Sequence, residues 1–311
     1  LQMIDPQGLQ NRSRGSRRLR RFPIISAGPN EQWSMDGHDK LAMWGFGIYG
    51  IRDVYSGFLL ALHAFPSNRL AANVHWLFLE TILEQKGTLQ IGYPIQVASD
   101  RGSEMGQISE TQFLLRQTYS TPELDDVPPH ICLKSLRNIT IERQWVHVRK
   151  EVVDLILEKI QEGLERGFVW TNPAHRSLFW WLFAPLVQGL LAQHVTFHNS
   201  FWVRRQPTKP NPSGGRRQDF FKSPEKFGGV ECLQRIQLDT IREIMEIRDK
   251  VVTEGMLRWI SEEEEKICLN AHWALGASAA CWTLHEVWNL FEQMVPLTQA
   301  HLTRVFEQME V

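Results

Sequence analysis

From Trp33 the apolar residues alternate, and the period of two puts Ser34, Asp36 and His38 on one face of a strand. Met43 to Ile51 continues the pattern, with Trp44, Phe46 and Ile48 set against Gly45 and Gly47. The aromatic side suits a core, and the glycine side admits a close backbone or helix. Arg52-Asp53-Val54-Tyr55-Ser56-Gly57 has the composition of a hairpin connection, and Phe58 to Phe65 is a third strand. Ser67-Asn68 then offers a helix cap, after which Leu70, Val74, Leu77, Phe78, Ile82 and Leu83 recur at helical spacing as far as Gly87. Tyr93 to Ser99 predicts a buried strand that ends on Asp100, where Arg101-Gly102 breaks it. A helix over about 108–119 and a short last strand over 130–136 follow.

From Thr140 an uninterrupted helical pattern extends to about Gly167. Ile141, Trp145, Val148, Val152 and Leu155 share one stripe, and Glu142, Val146, Arg149, Val153 and Ile156 form the adjacent one. Asn172-Pro173 and the Trp180-Trp181 region read as helices packed on this unit, and the apolar run Leu178 to Leu191, interrupted by Pro185 and Gln188, as core. Thr208 to Arg217 is a loop by composition, and from Cys232 the pattern is helical to the end. Parallel strands need crossover helices of this length, so the element order predicts an α/β fold. It is a ribonuclease-H-like mixed five-stranded sheet flanked by helices, with an all-helical C-terminal extension. The expected divisions are a flexible basic arm (1–27), a core (28–168), a helical and loop extension (169–229) and a helical C-terminal region (230–311).

Composition adds little to this. With 311 residues, 43% hydrophobic and 22% charged, the chain can bury a full core. Leu at position 1 points to a chain that begins inside a longer gene product. No run of apolar residues long enough for a membrane span is present, and Cys132, Cys232, Cys268 and Cys281 lack the spacing of a zinc cluster or disulfide framework. Net charge is −1, yet Arg12, Arg14, Arg17, Arg18, Arg20 and Arg21 crowd one segment. Such an arm binds phosphates or serves as a solvated tail.

Three acids stand out by position. Asp36 lies on the first strand, Asp100 at the end of the fourth, and Glu142 in the first turn of the long helix. Each also has a plain reading: Asp100 as a turn-opening residue and Glu142 as a capping-region acid favoured by the helix dipole. Glu104 is a rival third acid, but it follows Asp100 too closely to come from a separate helix. His38 shares the face of Asp36 and reads as structural.

Trp33-x-x-Asp36, Asp53-x-Tyr55-Ser56-Gly57, Ser99-Asp100-x-Gly102-x-Glu104 and Asn138-x-x-Ile141-Glu142-Arg143-x-Trp145 occur in order on the right elements. Over residues from about 28 to 165 this layout resembles the DDE integrase and transposase family. With Asn211-Pro212-Ser213-Gly214 it is more closely similar to the integrase core proteins of eukaryotic genomes that derive from mobile elements. The interval from Asp100 to Glu142 is longer than in retroviral integrases, and no His/His/Cys/Cys module precedes the core in these residues.

The resemblance implies a polynucleotidyl transferase that nicks DNA and joins strands with two Mg²⁺ or Mn²⁺ ions roughly 3.5 to 4 Å apart. It assigns Asp36 and Asp100 to the first metal, with Asp36 bridging to a second held by Glu142. DNA is the expected partner, in a homo-oligomer and in the nucleus, with no membrane and no small-molecule cofactor. Arg143, Arg149, Lys150 and, in the arm, Arg17 and Arg18 are the expected DNA contacts. The alternative is a domesticated or decayed core that binds nucleic acid or protein without catalysis. A metal-dependent ribonuclease on the same fold is a third reading, set aside because the Trp33 and Asn138 contexts point to integrases.

Overall fold

The computed structural model describes residues 25–84, 91–100, 102–119, 121–133, 139–276 and 282–309. Three antiparallel strands open it, β1 (Gln32–Leu41), β2 (Phe46–Asp53) and β3 (Leu59–Phe65). The second begins at Phe46 because Ala42–Trp44 winds into a 3-10 turn, so Trp44 lies outside the strand. Helix α1 (Ala71–Glu84) leads to β4 (Gly92–Tyr93) and β5 (Gln96–Ser99), α2 (Gly106–Tyr119) and β6 (His130–Cys132). The sheet order is β3-β2-β1-β5-β6, with β1, β5 and β6 parallel. This is the expected ribonuclease-H-like sheet. Asn68 departs from its expected capping role: its amide donates to Asp39 Oδ1 (2.8 Å) and to the Ile48 carbonyl (3.0 Å), closing the end of β1 on β2.

The sheet divides the core by strand parity. Trp33, Met35, Tyr49 and Ile51 face α1 and α2. Phe46, Ile48 and Leu62 face the second helical layer. That layer begins with α3 (Ile139–Val148), continues through one π-helical turn (Arg149–Val153) and resumes as α4 (Asp154–Glu165). The uninterrupted helix expected here is therefore broken in register. A π turn inserts one extra residue, so the buried stripe passes from Ile141, Trp145, Val148 and Val152 to Val153, Ile156 and Ile160, while Leu155 is only half-buried.

Helix α5 (Pro173–Ser200) is capped by Asn172, whose Oδ1 accepts from the Ala174 amide at 3.0 Å. Its length and composition would suffice to cross a membrane. In this fold it carries the core instead: Leu178, Phe179, Leu182, Phe183, Val187 and Leu191 are fully buried. Polar ties also hold it to α3. The Gln144 amide donates to His194 Nε2 (2.9 Å) and His198 Nδ1 (3.3 Å), and His194 Nδ1 donates to Glu151 Oε2 in the π turn (2.8 Å). Burial pushes His198 down to about 2, so the ring stays neutral and its acceptor nitrogen stays available.

Past a short hairpin of β7 (Trp202–Val203) and β8 (Gly215–Arg216), the chain forms α6 (Arg217–Lys222), β9 (Gln234–Arg235), α7 (Leu238–Thr253), α8 (Glu262–Ala274) and α9 (Val287–Met309). These helices cover opposite faces. Ile244 of α7 joins the core under α1, whereas Trp288 and Phe291 of α9 pack around Phe168 and Phe179.

Two helical glycines test this packing in opposite directions. A Cβ on Gly163 would fall 1.9 Å from Trp288 Cζ2, whereas one on Gly189 meets nothing within 4 Å. Gly163→Ala is expected to destabilise by about 1 to 3 kcal/mol through overpacking. Gly189→Ala is expected to stabilise by about 0.5 to 1 kcal/mol through helix propensity. Thermal denaturation of the two variants should therefore give melting points on either side of the wild type.

Candidate active site

Asp36 sits mid-way along β1, opposite Gly50 of β2. The missing side chain at position 50 is what admits a helix there. A Cβ would lie 3.1 Å from Trp145 Cη2 and 3.5 Å from Ile141 Cδ1, so α3 rests directly on the strand backbone. Trp145 Nε1 then donates to Asp36 Oδ2 at 2.7 Å, and the Gly37 amide donates to Oδ1 at 2.9 Å. One turn back, Thr140 Oγ1 donates to Ser34 Oγ at 3.0 Å. Two residues of strand advance about 7 Å and five of helix about 7.5 Å, so the two contacts hold α3 in step with β1. His38 stacks on the Trp145 ring at 5.0 Å and 12°, and burial lowers its pKa, in keeping with a structural role.

Asp100 reaches the same place by register. Ser34 pairs with Ala98 in the parallel β1–β5 ladder, so Asp36 and Asp100 each lie two residues past that pair on the same face. Glu142, in the first turn of α3, comes in above them. The consequence is electrostatic. Burial pushes the Asp36 carboxyl up to about 6, with Asp100 and Glu142 adding to the rise and the Trp145 and Gly37 hydrogen bonds opposing it. Glu104 acts on the same neighbourhood: burial raises Tyr49 well above the usual phenol range, and Glu104, Asp36 and Asp100 add to that rise.

The Asp53 motif proves to be architecture. Its oxygens accept from the Asn30 amide (2.8 Å), the Ser56 amide (2.8 Å) and Ser56 Oγ (2.5 Å), which closes the turn between β2 and β3. Asn30 Oδ1 in turn accepts from Trp33 Nε1 at 2.9 Å. With both oxygens satisfied inside the protein, Asp53 meets the rule that buried polar groups are hydrogen-bonded.

Residues 25–212 match the family described as integrase core domain, more than half of the chain. The chain belongs to the integrase core domain family. Among solved structures it is similar to the HTLV-2 integrase catalytic core domain in complex with magnesium. The trimeric form is 15% identical with a TM-score of 0.39, covering 64% of this chain and 99% of that one. The dimeric form is 13% identical with a TM-score of 0.36, covering 65% and 100%. No curated protein matches the chain.

In this integrase core the acids fit a hard cation by chemistry, since carboxylate oxygens are the ligands Mg²⁺ prefers. The arrangement does not gather them as ligands: among the described residues no three His, Cys, Asp or Glu side chains are grouped closely enough to hold a metal ion. Trp145 holds one oxygen of Asp36. The sequence showed Trp145 as a stripe residue and as the end of the Asn138 motif, but nothing in a helical period tells where an indole N–H will point. Of the expected DNA contacts, Arg143 is exposed beside Glu142, and Arg149 and Lys150 lie exposed in the π turn, with Arg149 paired to Asp154 at 3.4 Å. Arg17 and Arg18, like Asn138, fall outside the described residues.

The raised Asp36 carboxyl makes stability depend on pH with a definite sign. The folded state binds this proton more tightly than the unfolded chain, so its contribution is full below pH 3.8 and is lost as pH rises to about 6. The loss amounts to about 3 kcal/mol. Asp36→Asn removes the titration. Urea unfolding in chelator-containing buffer is expected to show the variant gaining on the wild type by that amount between pH 4 and pH 8.

Proposed function

We propose that this integrase core carries out metal-dependent phosphoryl transfer on DNA, nicking at an element end and joining strands into a target. Asp36, Asp100 and Glu142 are its acids. One observation carries the reading: a strand, the end of its neighbour and a helix turn three carboxylates toward one place, where Asp100 and Glu142 add to the rise that burial imposes on Asp36. Collecting like charges in a half-buried site costs free energy, which is a mark of sites built for chemistry. Asp36, Asp100 and Glu142 would hold two Mg²⁺ or Mn²⁺ ions, which supply the charge that activates a water or 3′-hydroxyl and stabilises the leaving oxygen.

The chain's own contribution is positioning. The central strand fixes the Asp36 backbone, the Gly37 amide and the Trp145 indole orient its carboxylate, and α3 carries Glu142 on a rigid support. Strand transfer also needs DNA ends held together, so a homo-oligomer working in the nucleus belongs to this reading. A second reading, a domesticated or decayed core that binds nucleic acid or protein without catalysis, draws on the dispersed carboxylates and the Trp145 bond to Asp36.

Supercoiled plasmid incubated with Mg²⁺ or Mn²⁺ separates the two. Wild type is expected to nick it, and Asp36→Asn, Asp100→Asn and Glu142→Gln each to slow nicking at least about a hundredfold, equivalent to roughly 3 kcal/mol. Nicking that survives all three substitutions overturns the catalytic assignment. Wild type that binds the plasmid and leaves it intact with either metal selects the second reading.

A further inference from the structure

Beside the acids stand four cations that the chemistry above does not use. They are Arg52 on β2, Arg143 next to Glu142, Lys209 in the loop between β7 and β8, and Arg217 at the start of α6. Hydrogen bonds tie Arg52 and Arg217 to one corner, and Arg143 and Lys209 stand close enough to act on it electrostatically. Arg52 donates from Nη1 to the Thr140 carbonyl and from Nε to the Gly57 carbonyl at 3.2 Å, bridging the β2–β3 turn and the first turn of α3. His198 Nε2 donates to the same Gly57 carbonyl at 3.1 Å, and Arg217 Nη1 donates to the His198 carbonyl at 2.9 Å. The Lys209 loop is tied to this corner by Asn211, whose Nδ2 donates to the Val54 carbonyl at 3.1 Å. Arg52 pairs in register with Ser34, so the cluster stands two residues, about 7 Å, along β1 from Asp36.

Asp53 acts on Arg52 with the opposite sign but forms no ion pair with it. None of the four forms an ion pair with a carboxylate among the described residues. Asp53, which follows Arg52 in the chain, has both oxygens engaged by Asn30 and Ser56. The mutual repulsion registers on two members. Burial and then Arg217 push Arg52 down to about 10, with Arg143 adding and Asp53 opposing, and burial, Arg143, Arg52 and Arg217 push Lys209 down. A corner of this kind is stabilised by an anion and strained without one. Arg143 and Lys209 are exposed and Arg52 and Arg217 half-buried, so the cluster opens to solvent on a fixed base.

We propose that Arg52, Arg143, Lys209 and Arg217 form a cradle for successive phosphates of the DNA backbone, flanking the bond presented to Asp36, Asp100 and Glu142. The inference rests on the reading of this core as a DNA strand transferase. A single diester carries one negative charge, so four fixed cations match a run of backbone phosphates better than one small anion. Arg217 lies beyond residue 212, where the family match ends, so the segment after α5 completes a site that the matched core only begins.

The test is the salt dependence of binding to a short fluorescent DNA duplex, read by anisotropy, for Arg143→Gln, Lys209→Gln, the double variant and Arg242→Gln. Arg242 is an exposed control on α7, paired with Asp239. Arg143→Gln and Lys209→Gln are each expected to weaken binding several-fold at low salt and to flatten the slope of log affinity against log salt by about 1. The double variant is expected to flatten it by about 2, with Arg242→Gln unchanged. Melting temperatures equal to wild type confirm folding, and if the double variant fails to fold the single ones decide. Wild-type binding that the double variant keeps in full overturns the cradle and leaves the strand-transferase reading standing. A wild type with no salt-dependent binding to DNA overturns both. Tighter binding to an RNA duplex, with the same losses, overturns the assignment to DNA.

Discussion

Helix α3 delivers Glu142 to the sheet by seating its Trp145 ring on Gly50 of β2, where a Cβ would lie 3.1 Å away. A Cβ at that point would press on the Trp145 ring, and the Thr140–Ser34 and Trp145–Asp36 bonds set the helix's register on the strand beside it. The same contact serves two purposes. It buries Ile141, Trp145 and Val148 against the sheet, and it ends on the carboxylate around which the candidate site is arranged. Core packing and site geometry therefore rest on the same few ångströms.

Charge is distributed against self-interest on this face. Asp100 and Glu142 add to the rise that burial imposes on Asp36, and Arg143, Arg52 and Arg217 add to the fall that burial imposes on Lys209. Left alone, each arrangement costs stability. On the function proposed above, both become favourable when the acids meet cations and the arginines and lysine meet an anion. A chain with a net charge of −1 can thus present a strongly basic corner, because what attracts DNA is the local field rather than the total.

The π turn joins the two halves of the second layer. By adding a residue it rotates α4 relative to α3, so Val153, Ile156 and Ile160 can face α5 and α9 after Trp145 and Val148 have faced the sheet. Glu151 in that turn bonds His194, which shares the Gln144 amide with His198, and His198 reaches Gly57 under the cation cluster. Helix α5 is thereby tied to α3, to the π turn and to the turn between β2 and β3.

Much of the fold was legible in the residues alone. Alternation along β1 put Ser34, Asp36 and His38 on one face, where they stand, and the apolar run from Leu178 to Leu191 is core. Periodicity reports local geometry and burial, and these are set by a few neighbours along the chain. It could not foresee the π turn, since one inserted residue leaves both stripes plausible. Nor could it show that Gly50 stands opposite Asp36, that the Trp145 N–H points at a carboxylate, or that Arg52, Arg143, Lys209 and Arg217 meet at one corner. Those facts depend on strand register, helix docking and loop closure, which join residues far apart in sequence. The sequence by itself determined the sheet, its helices and the three candidate acids; only the tertiary structure decided which groups face them, because hydrogen-bond direction and charge proximity exist only once the chain has closed.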